Sequence, residues 1–501
     1  MIAMRNCLFV SLFLSSCALN AQSISKPNIV VILADDMGYG DISALNSKSK
    51  INTPNLDALV STGVNFSNAH SNSAVSTPTR YGIVTGRYCF RSSLKSGVLY
   101  GYDEPLIENT RSTLGSLLKS HGYVTGMSGK WHLGLNFQAK DPSKPVYEET
   151  KDFRTPRFSN VDFTKKVSGG PSDLGFDYSF VFPSSLDMSP YCYIENGKVI
   201  DPDMELYKGL SGKRGAVARA GEKSKSLVLE HTLIDITEKG CQFIDRNSNR
   251  NDNKPFFLYL PLTAPHTPWL PVDGYKGKSK AGDYGDFVCM VDDMVGKVIE
   301  TLKNKGVYDN TLIIFTSDNG SHWKPEDIER YNHYANYNRR GMKSDVWDGG
   351  HRIPFILHWG DKINKGYDID KLVCTTDLFA TFSDILGYKP NLNEAEDSYS
   401  FYSYISEDES SISPRTSIIH HGIDGTFAIR EGKWKLIDAP HSGGWSLRKS
   451  SIKPDEYPAR QLYDMENDIY EKHNLINEYP EVAEKLLIKL KKYVTSNNSR
   501  F

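Results

Sequence analysis

The sequence carries no surplus of charge of either sign. Lys and Arg number 59 against 61 Asp and Glu, a formal net charge of -2 over 501 residues. The basic excess that grips nucleic acid non-specifically is missing, so no nucleic-acid partner is expected, and an anion bound here must meet a local site. Cysteine is scarce. Cys89, Cys192, Cys241, Cys289 and Cys374 stand far apart, odd in number and without CxxC spacing. That excludes a disulfide scaffold and a cysteine zinc site, and it predicts buried small residues. Past the N-terminus no stretch approaches the ~20 apolar residues of a membrane helix, and no internal repeat is present.

The N-terminus differs in texture. "MIAMRNCLFVSLFLSSCALNAQS" sets Arg5 before an apolar run over 8–14, then turns to small residues. It is too short to span a bilayer and has the layout of an export signal. Cleavage after Ala21 makes residues 1–21 a signal peptide. "LSSC", ending at Cys17, equally fits a lipoprotein signal that leaves Cys17 lipid-anchored. An exported protein is expected, either periplasmic or anchored to the outer membrane or cell surface.

The length exceeds one core, since domains run to about 100–200 residues. "PNIVVILADDMG" (27–38), "KPFFLYLPL" (254–262), "TLIIFTSDNG" (311–320) and "RIPFILHW" (352–359) are apolar, β-branched runs. They read as strands buried on both faces, the signature of a parallel sheet. Helical spacing fills "TPNLDALVSTG" (53–63), "TLGSLLKSHG" (113–122) and "DYGDFVCMVDDMVGKVIETLKNKG" (283–306). The alternation predicts an α/β fold: a large, mainly parallel sheet with helices on both faces. The Tyr- and Lys-rich stretch 138–165 reads as a surface insertion. Beyond about residue 390 the chain turns polar and acidic, then into short alternating segments and a closing amphipathic helix over 479–494. The expected division is a catalytic domain over 25–390 and a smaller α+β domain over 391–501.

Function gathers at the carboxyl ends of strands in such sheets. Asp35, Asp36, Asp318 and Asn319 occupy two of those ends. One Asp pair alone reads first as a helix cap. Two acidic ends in one sheet, offering only oxygen, favour a hard cation such as Ca²⁺ over zinc. "GKWHLG" brings Lys130 and His132, "TAPHTPW" brings His266 between two prolines, and "GMKSDVWDGGHRIP" brings Lys343. Taken singly, each also reads as structural. "SAVSTPTRYGIVTGR" (73–87) predicts a helix starting near Ser76 with Arg80 one turn on, a place that attracts an anion. The plain alternative for Ser76 is an N-cap.

Ser76-Thr77-Pro78-Thr79-Arg80, followed after four residues by Thr85-Gly86, resembles the sulfatase signature: Cys or Ser, any, Pro, any, Arg, four residues, Thr-Gly. The resemblance extends in order through "NIVVILADDMGYGD", "TPNLDALVSTGVNFSNAH", "GKWHLG", "APHTP", "SDNG", "DGGHRIP" and "LYDMENDIYEKHNL". It implies the alkaline phosphatase/sulfatase-like fold and hydrolysis of sulfate monoesters. It implies that a separate maturation enzyme oxidises Ser76 to formylglycine, whose hydrate is the nucleophile. One Ca²⁺ would be held by Asp35, Asp36, residue 76, Asp318 and Asn319. Arg80 would hold the hydrated aldehyde, and Lys130 and Lys343 the sulfate. His266, assisted by Lys343, would protonate the leaving alcohol, and His132 would be the base that releases sulfate. By analogy the substrate is a sulfated glycan, cut exo at a galactose or hexosamine 6-O-sulfate. Asp187, Tyr191, His322, His351 and Arg352 are the candidate sugar contacts, and His420 and His421 candidates from the second domain. The rival readings are a phosphoester or phosphonate hydrolase on the same scaffold and an inactive surface protein that binds sulfated glycans.

Overall fold

The computed structural model describes residues 26–148, 154–248, 250–363, 365–406, 415–453 and 456–500. The expected signal peptide, with Cys17, lies outside the described residues, as does 407–414 of the acidic stretch. Among the described residues no helix is long and apolar enough to cross a membrane, and Cys89, Cys192, Cys241, Cys289 and Cys374 are free and buried.

A ten-stranded sheet runs through the larger part of the described chain. Its central strand, Asn28–Asp35, is buried along its whole length. It lies parallel to Phe256–Pro265 on one side and to Thr311–Ser317 on the other. Val124–Lys130 and Tyr178–Phe182 continue the parallel set beyond Phe256–Pro265. Successive side chains of a strand face opposite ways. Ile29, Val31 and Leu33 therefore enter one core, and Val30, Ile32 and Ala34 enter the other. Each fully buried side chain of this size contributes about 1.5–3 kcal/mol. The helices Pro54–Thr62, Thr232–Asn247 and Gly282–Asn304 cover the face of Val30, while Ser76–Thr85, Leu114–Ser120 and Leu378–Ile385 cover that of Ile29.

Two expectations are corrected, and one strand was not foreseen. Phe355–His358, read with the parallel strands, pairs antiparallel with Thr311–Ser317. Burial on both faces yields the same apolar run in either direction, so composition could not show it. Val124–Lys130 ("VTGMSGK") is a strand without an apolar run, because Gly126 packs under the Phe243 ring, where an added Cβ would lie 2.6 Å from it. The stretch 138–165 is more than a surface insertion. Val161 and Phe163 enter the core, and Tyr147 stacks on Tyr102 at 4.4 Å. Residues 149–153 within it lie outside the described part.

The C-terminal sheet is antiparallel and four-stranded: Ser417–His421, Phe427–Glu431, Trp434–Ile437 and Gln461–Asp464. Helix Pro480–Thr495 lays Leu486, Leu487 and Leu490 against Ile418, Ile429, Leu436 and Leu462. The sheet is tied to the segment that leads into Ser76. Ala74 N donates to His421 O at 3.1 Å, and His420 Nδ1 to Ser71 O at 3.1 Å. Buried Lys435 bridges Asp348 and Glu471, each at 2.8 Å.

Burial, together with Lys435, holds the His351 imidazole at about 3, and burial holds His421 at about 4. Both groups fold uncharged. Between those values and the ordinary histidine pKa near 6.5, the unfolded chain binds protons that the folded chain refuses, so stability is present above about pH 6.5 and is lost as the pH falls. Thermal melting from pH 7.5 to 4.5 should show Tm falling with acidification, with His421→Gln weakening the dependence. An unchanged Tm across that window would contradict the assignment.

Candidate active site

Four strand ends and one helix start meet at a buried cluster. Asp35 ends the central strand, and Asp36 follows in a left-handed conformation, φ 67°, that turns its side chain across the sheet edge. Asp36 N donates to Asp318 Oδ1 at 3.1 Å, so the acidic ends of two neighbouring strands lock together. Asn319 Nδ2 donates to Asp36 Oδ1 at 2.7 Å. Its Oδ1 is buried with no partner. Gly320 N donates to Gly350 O at 2.9 Å, which brings the "SDNG" and "DGG" stretches together.

Helix Ser76–Thr85 begins at Ser76, and its N-cap is Val75, without a side-chain bond. The N-cap alternative for Ser76 is thus set aside. The hydroxyl instead turns to the cluster, 3.4 Å from Asp35 Oδ1 and 3.3 Å from Lys130 Nζ. Arg80, one turn on, donates to Asp318 Oδ2 from Nε at 3.1 Å and from Nη2 at 2.9 Å, and to Lys130 O at 3.2 Å. The helix stops at Gly86, whose φ of 67° is the left-handed cap that glycine adopts without strain. Thr85 Oγ1 closes the last turn on Tyr81 O at 2.7 Å. The signature spacing therefore has a mechanical reading: one short helix, Ser76 first, arginine one turn later, cap at the end.

Lys130 Nζ lies 3.0 and 2.9 Å from the Asp35 oxygens. Lys343 Nζ lies 2.8 Å from Asp36, and His266 Nε2 lies 3.8 Å from Asp36 Oδ2. Burial pushes the Asp35 carboxyl up, but Lys130, His266 and Arg80 overcome it and hold it at about 2. Burial likewise opposes the charge on Asp36, and Lys343 and His266 keep its pKa below the ordinary value. Three carboxylates face Arg80, Lys130 and Lys343, so a dication added here leaves the field positive towards an anionic ester.

The two histidines have defined free edges. His266 Nδ1 is hydrogen-bonded to Thr267 O and so carries the proton, which leaves Nε2 towards the cluster. His132, in a left-handed conformation (φ 58°), donates from Nε2 to Leu99 O at 2.7 Å. Its Nδ1 is buried without a partner and is therefore a bare lone pair. Burial, with Lys130 and Arg80 nearby, holds this imidazole far below its usual pKa, hence neutral.

The expected sugar contacts divide. His322 lies near Lys343 and Arg214. Burial and these cations hold it at about 3. Asp187 pairs with Arg219, and its Oδ1 is buried without a partner. Tyr191 is fully buried, with its hydroxyl on Arg219 O. His351 and Arg352 are not brought to the cluster. His351 stacks on His420 at 3.7 Å and 11°, with Lys435 Nζ 3.2 Å from its Nε2. Arg352 bonds Asn68 and His70 and faces a separate surface cleft. His70, His351 and His420 do bring nitrogens within 4.8 Å of one another. However, His70 Nδ1 and His351 Nδ1 are already hydrogen-bonded to each other at 3.0 Å, His420 Nδ1 is spent on Ser71 O, and Lys435 and Arg352 crowd the group. His421 is buried, with Nδ1 on Gly422 O.

The oxygen-rich donor set fits a hard divalent cation. Asp35 and Asp36, with His266, bring ligand atoms within 4.8 Å of one another. The orphaned Asn319 Oδ1 and the carboxylate of Asp318 stand beside them. The family model described as Sulfatase matches residues 27–388. The chain belongs to the sulfatase family. It is 32% identical to an N-acetylgalactosamine-6-O-sulfatase of Bacteroides thetaiotaomicron, over 93% of each chain. It is 28% identical to human arylsulfatase A, over 90% of this chain and 83% of the other. A solved Bacteroides thetaiotaomicron structure, from work on the metabolism of multiple glycosaminoglycans, superposes with a TM-score of 0.80 at 30% identity, covering 94% of this chain and all of the other. A complex of Ps i-CgsB with k-i-k-neocarrahexaose matches at TM-score 0.68 and 25% identity, over 95% and 94% of the two chains. This sulfatase is accordingly a sulfuric ester hydrolase, in a family that uses formylglycine and a divalent metal.

Sequence reasoning missed several side chains of this sulfatase. Tyr259, a fully buried strand residue whose hydroxyl has no partner, sits in the field of Arg80, Asp318 and Asp35. Arg214 lies over Trp269 at 4.6 Å and clasps Asp327 and His322 O. Trp445 meets His322 at 4.9 Å. None belongs to a spaced motif, so nothing in the sequence singled them out.

Removing Arg80 would strand Asp318 as a buried, half-compensated carboxylate. Arg80→Ala should destabilise the fold by about 3–5 kcal/mol, the range for breaking a buried pair from one side. Denaturant unfolding measures it, and a loss under ~1 kcal/mol, the worth of an exposed pair, would mean that Asp318 finds other partners.

Proposed function

We propose that this sulfatase is an exported, exo-acting enzyme that removes the 6-O-sulfate of a galactose or hexosamine unit in a sulfated glycan. It would depend on one Ca²⁺ and on formylglycine made from Ser76 by a maturation enzyme. Support for the substrate comes from the relative named an N-acetylgalactosamine-6-O-sulfatase, matched along nearly the whole chain. The observation that carries the reaction is the meeting of Ser76 with Asp35, Asp36, Asp318 and the unpartnered Asn319 Oδ1 at one buried point. The export reading rests on the N-terminal segment, and the division near residue 390 on the change of sequence texture there.

Asp35, Asp36, Asp318 and Asn319 would hold the Ca²⁺, which would supply Lewis-acid polarisation of the sulfuryl group, and residue 76, once oxidised, would supply the nucleophilic oxygen. The chain's own residues do the rest. Lys130 and Lys343, already fixed on Asp35 and Asp36, meet the equatorial sulfate oxygens where charge builds in the transition state. Arg80, held by Asp318, keeps the start of the helix positive. His266 keeps its Nδ1 proton on Thr267 O and presents Nε2 to the departing sugar oxygen; acting as the imidazolium, it gives up its Nε2 proton to that oxygen as the S–O bond breaks and is left neutral. His132 is neutral with a free Nδ1 lone pair, the state needed to take a proton in the step that returns the site to its starting form. Asp187, among the expected sugar contacts, keeps an Oδ1 without a partner that could accept from a hydroxyl.

Sulfate release from galactose, galactosamine and glucosamine sulfates, by matured protein with and without chelator, tests the reading directly. Activity confined to 6-sulfates, lost on chelation and restored by Ca²⁺, is expected. Mass spectrometry of active protein should show residue 76 as an aldehyde, and an intact serine in an active preparation would overturn the nucleophile. His266→Ala should lower kcat on a sugar 6-sulfate by about 10²–10⁴ and on an activated aryl sulfate far less. Equal losses would remove it from leaving-group protonation.

A further inference from the structure

The loop 441–447 ("HSGGWSL") carries the C-terminal domain to the rim of the site, beside the 421–425 turn, where Ile423 N donates to Ser344 O at 3.0 Å. That loop is fixed to the residues just after Lys343. Buried Asp345 accepts from Ser442 Oγ at 2.8 Å, from Ser446 N at 3.1 Å and from Ser446 Oγ. Trp445 N donates to Ser344 Oγ at 3.0 Å, and Val346 N to Ser442 O at 2.8 Å. Gly444 sits so close that an added Cβ would lie 2.4 Å from Ser344 O. With its backbone held this way, Trp445 is half-buried and its ring meets His322, also half-buried, at 4.9 Å and 60°. His322 follows Asn319 by three residues. The indole thus stands between two segments that each deliver a site residue, Asp318 and Asn319 on one side and Lys343 on the other. The other half-exposed aromatic there, Trp269, is covered by the Arg214 guanidinium.

We propose that Trp445 is the sugar-ring platform of this sulfatase, contributed by the C-terminal domain, and that it selects a galacto-configured ring. The proposal rests on the sulfated-sugar reading above and adds which side chain reads the sugar rather than the sulfate. Ligand sites are lined by aromatic surface with a few polar groups that fix orientation. A pyranose is polar at its rim and apolar on its C–H faces. In a galacto ring the axial O4 leaves C3–H, C4–H and C5–H on one side, a continuous apolar patch of the size of an indole. A gluco ring, with O4 equatorial, breaks that patch. Trp445 supplies a rigid face at low entropic cost, because the clamp on Asp345 orders it before the sugar arrives. The tilted His322 ring forms the second wall and offers its nitrogens to the hydroxyl rim.

The test compares galactosamine 6-sulfate with glucosamine 6-sulfate, using matured wild type, Trp445→Ala and Trp445→Phe, with released sulfate as readout. Trp445→Ala should raise KM for the galacto substrate about tenfold, the upper range of a ring contact, with a smaller change in kcat. The galacto-to-gluco ratio of kcat/KM should fall with it, and Trp445→Phe should recover most of both. Equal losses on the two sugars, or a fall in kcat alone with a lower Tm, would make Trp445 a brace for the Lys343 loop and overturn the proposal. An unchanged KM would overturn it as well. If wild type released sulfate from neither sugar while still cleaving an aryl sulfate, the substrate reading would fall first, and this inference with it.

Discussion

Charge neutralisation at buried strand ends is the constraint on which this molecule depends. Asp35, Asp36 and Asp318 are buried with no bulk water to solvate them. Carboxylates in such a place persist only if cations and hydrogen-bond donors meet them, because desolvation costs several kcal/mol per ion. Each cation comes from a different part of the chain. Arg80 is on the helix after Ser76, Lys130 is at a strand end and Lys343 is in a loop. Satisfying three acids therefore aligns three distant segments, and the arrangement is also the one a divalent cation and an anionic ester would enter. On the proposed reading, stability and chemistry would draw on the same charges.

The second sheet is structurally coupled to the first. Its edge strand Ser417–His421 bonds the backbone at Ser71 and Ala74, just ahead of Ser76. Lys435 enters the interface with Asp348 and Glu471, and the 441–447 loop clamps Asp345. The C-terminal domain thus braces both the helix that begins at Ser76 and the loop that bears Lys343. Buried neutral histidines line that brace, so acid strains the same joint that positions the site.

Much of this was legible in the sequence, for identifiable reasons. Apolar runs ending in acid predicted Asn28–Asp35 and Thr311–Ser317, because a strand buried on both faces admits little else. The amphipathic spacing of Gly282–Asn304 and Pro480–Thr495 was equally plain. Val124–Lys130 was hidden by Gly126, which the Phe243 ring requires, and Gly129, which the Pro261 carbonyl requires, and the direction of Phe355–His358 by burial that is blind to direction. At the site, Lys130, His266 and Lys343 look individually like ordinary lysines and a proline-flanked histidine. His351 and Arg352 sit in sequence beside a site stretch, yet a short helix turns them towards the other sheet. Trp445 is at the rim although a hundred residues separate it from Lys343.

By itself the sequence determined which atoms are available: oxygen donors at two strand ends, a hydroxyl at a helix start with an arginine one turn later, and local spacings that fix those neighbours within a turn or a strand. Only the tertiary structure decided which of those atoms share one point, which histidine nitrogen is free, and which domain supplies the rim. The physical reason is range. Backbone periodicity acts over a few residues, whereas pairing Asp36 with Lys343 or Arg80 with Asp318 brings together side chains separated by hundreds, and packing of the whole sheet selects among the partners.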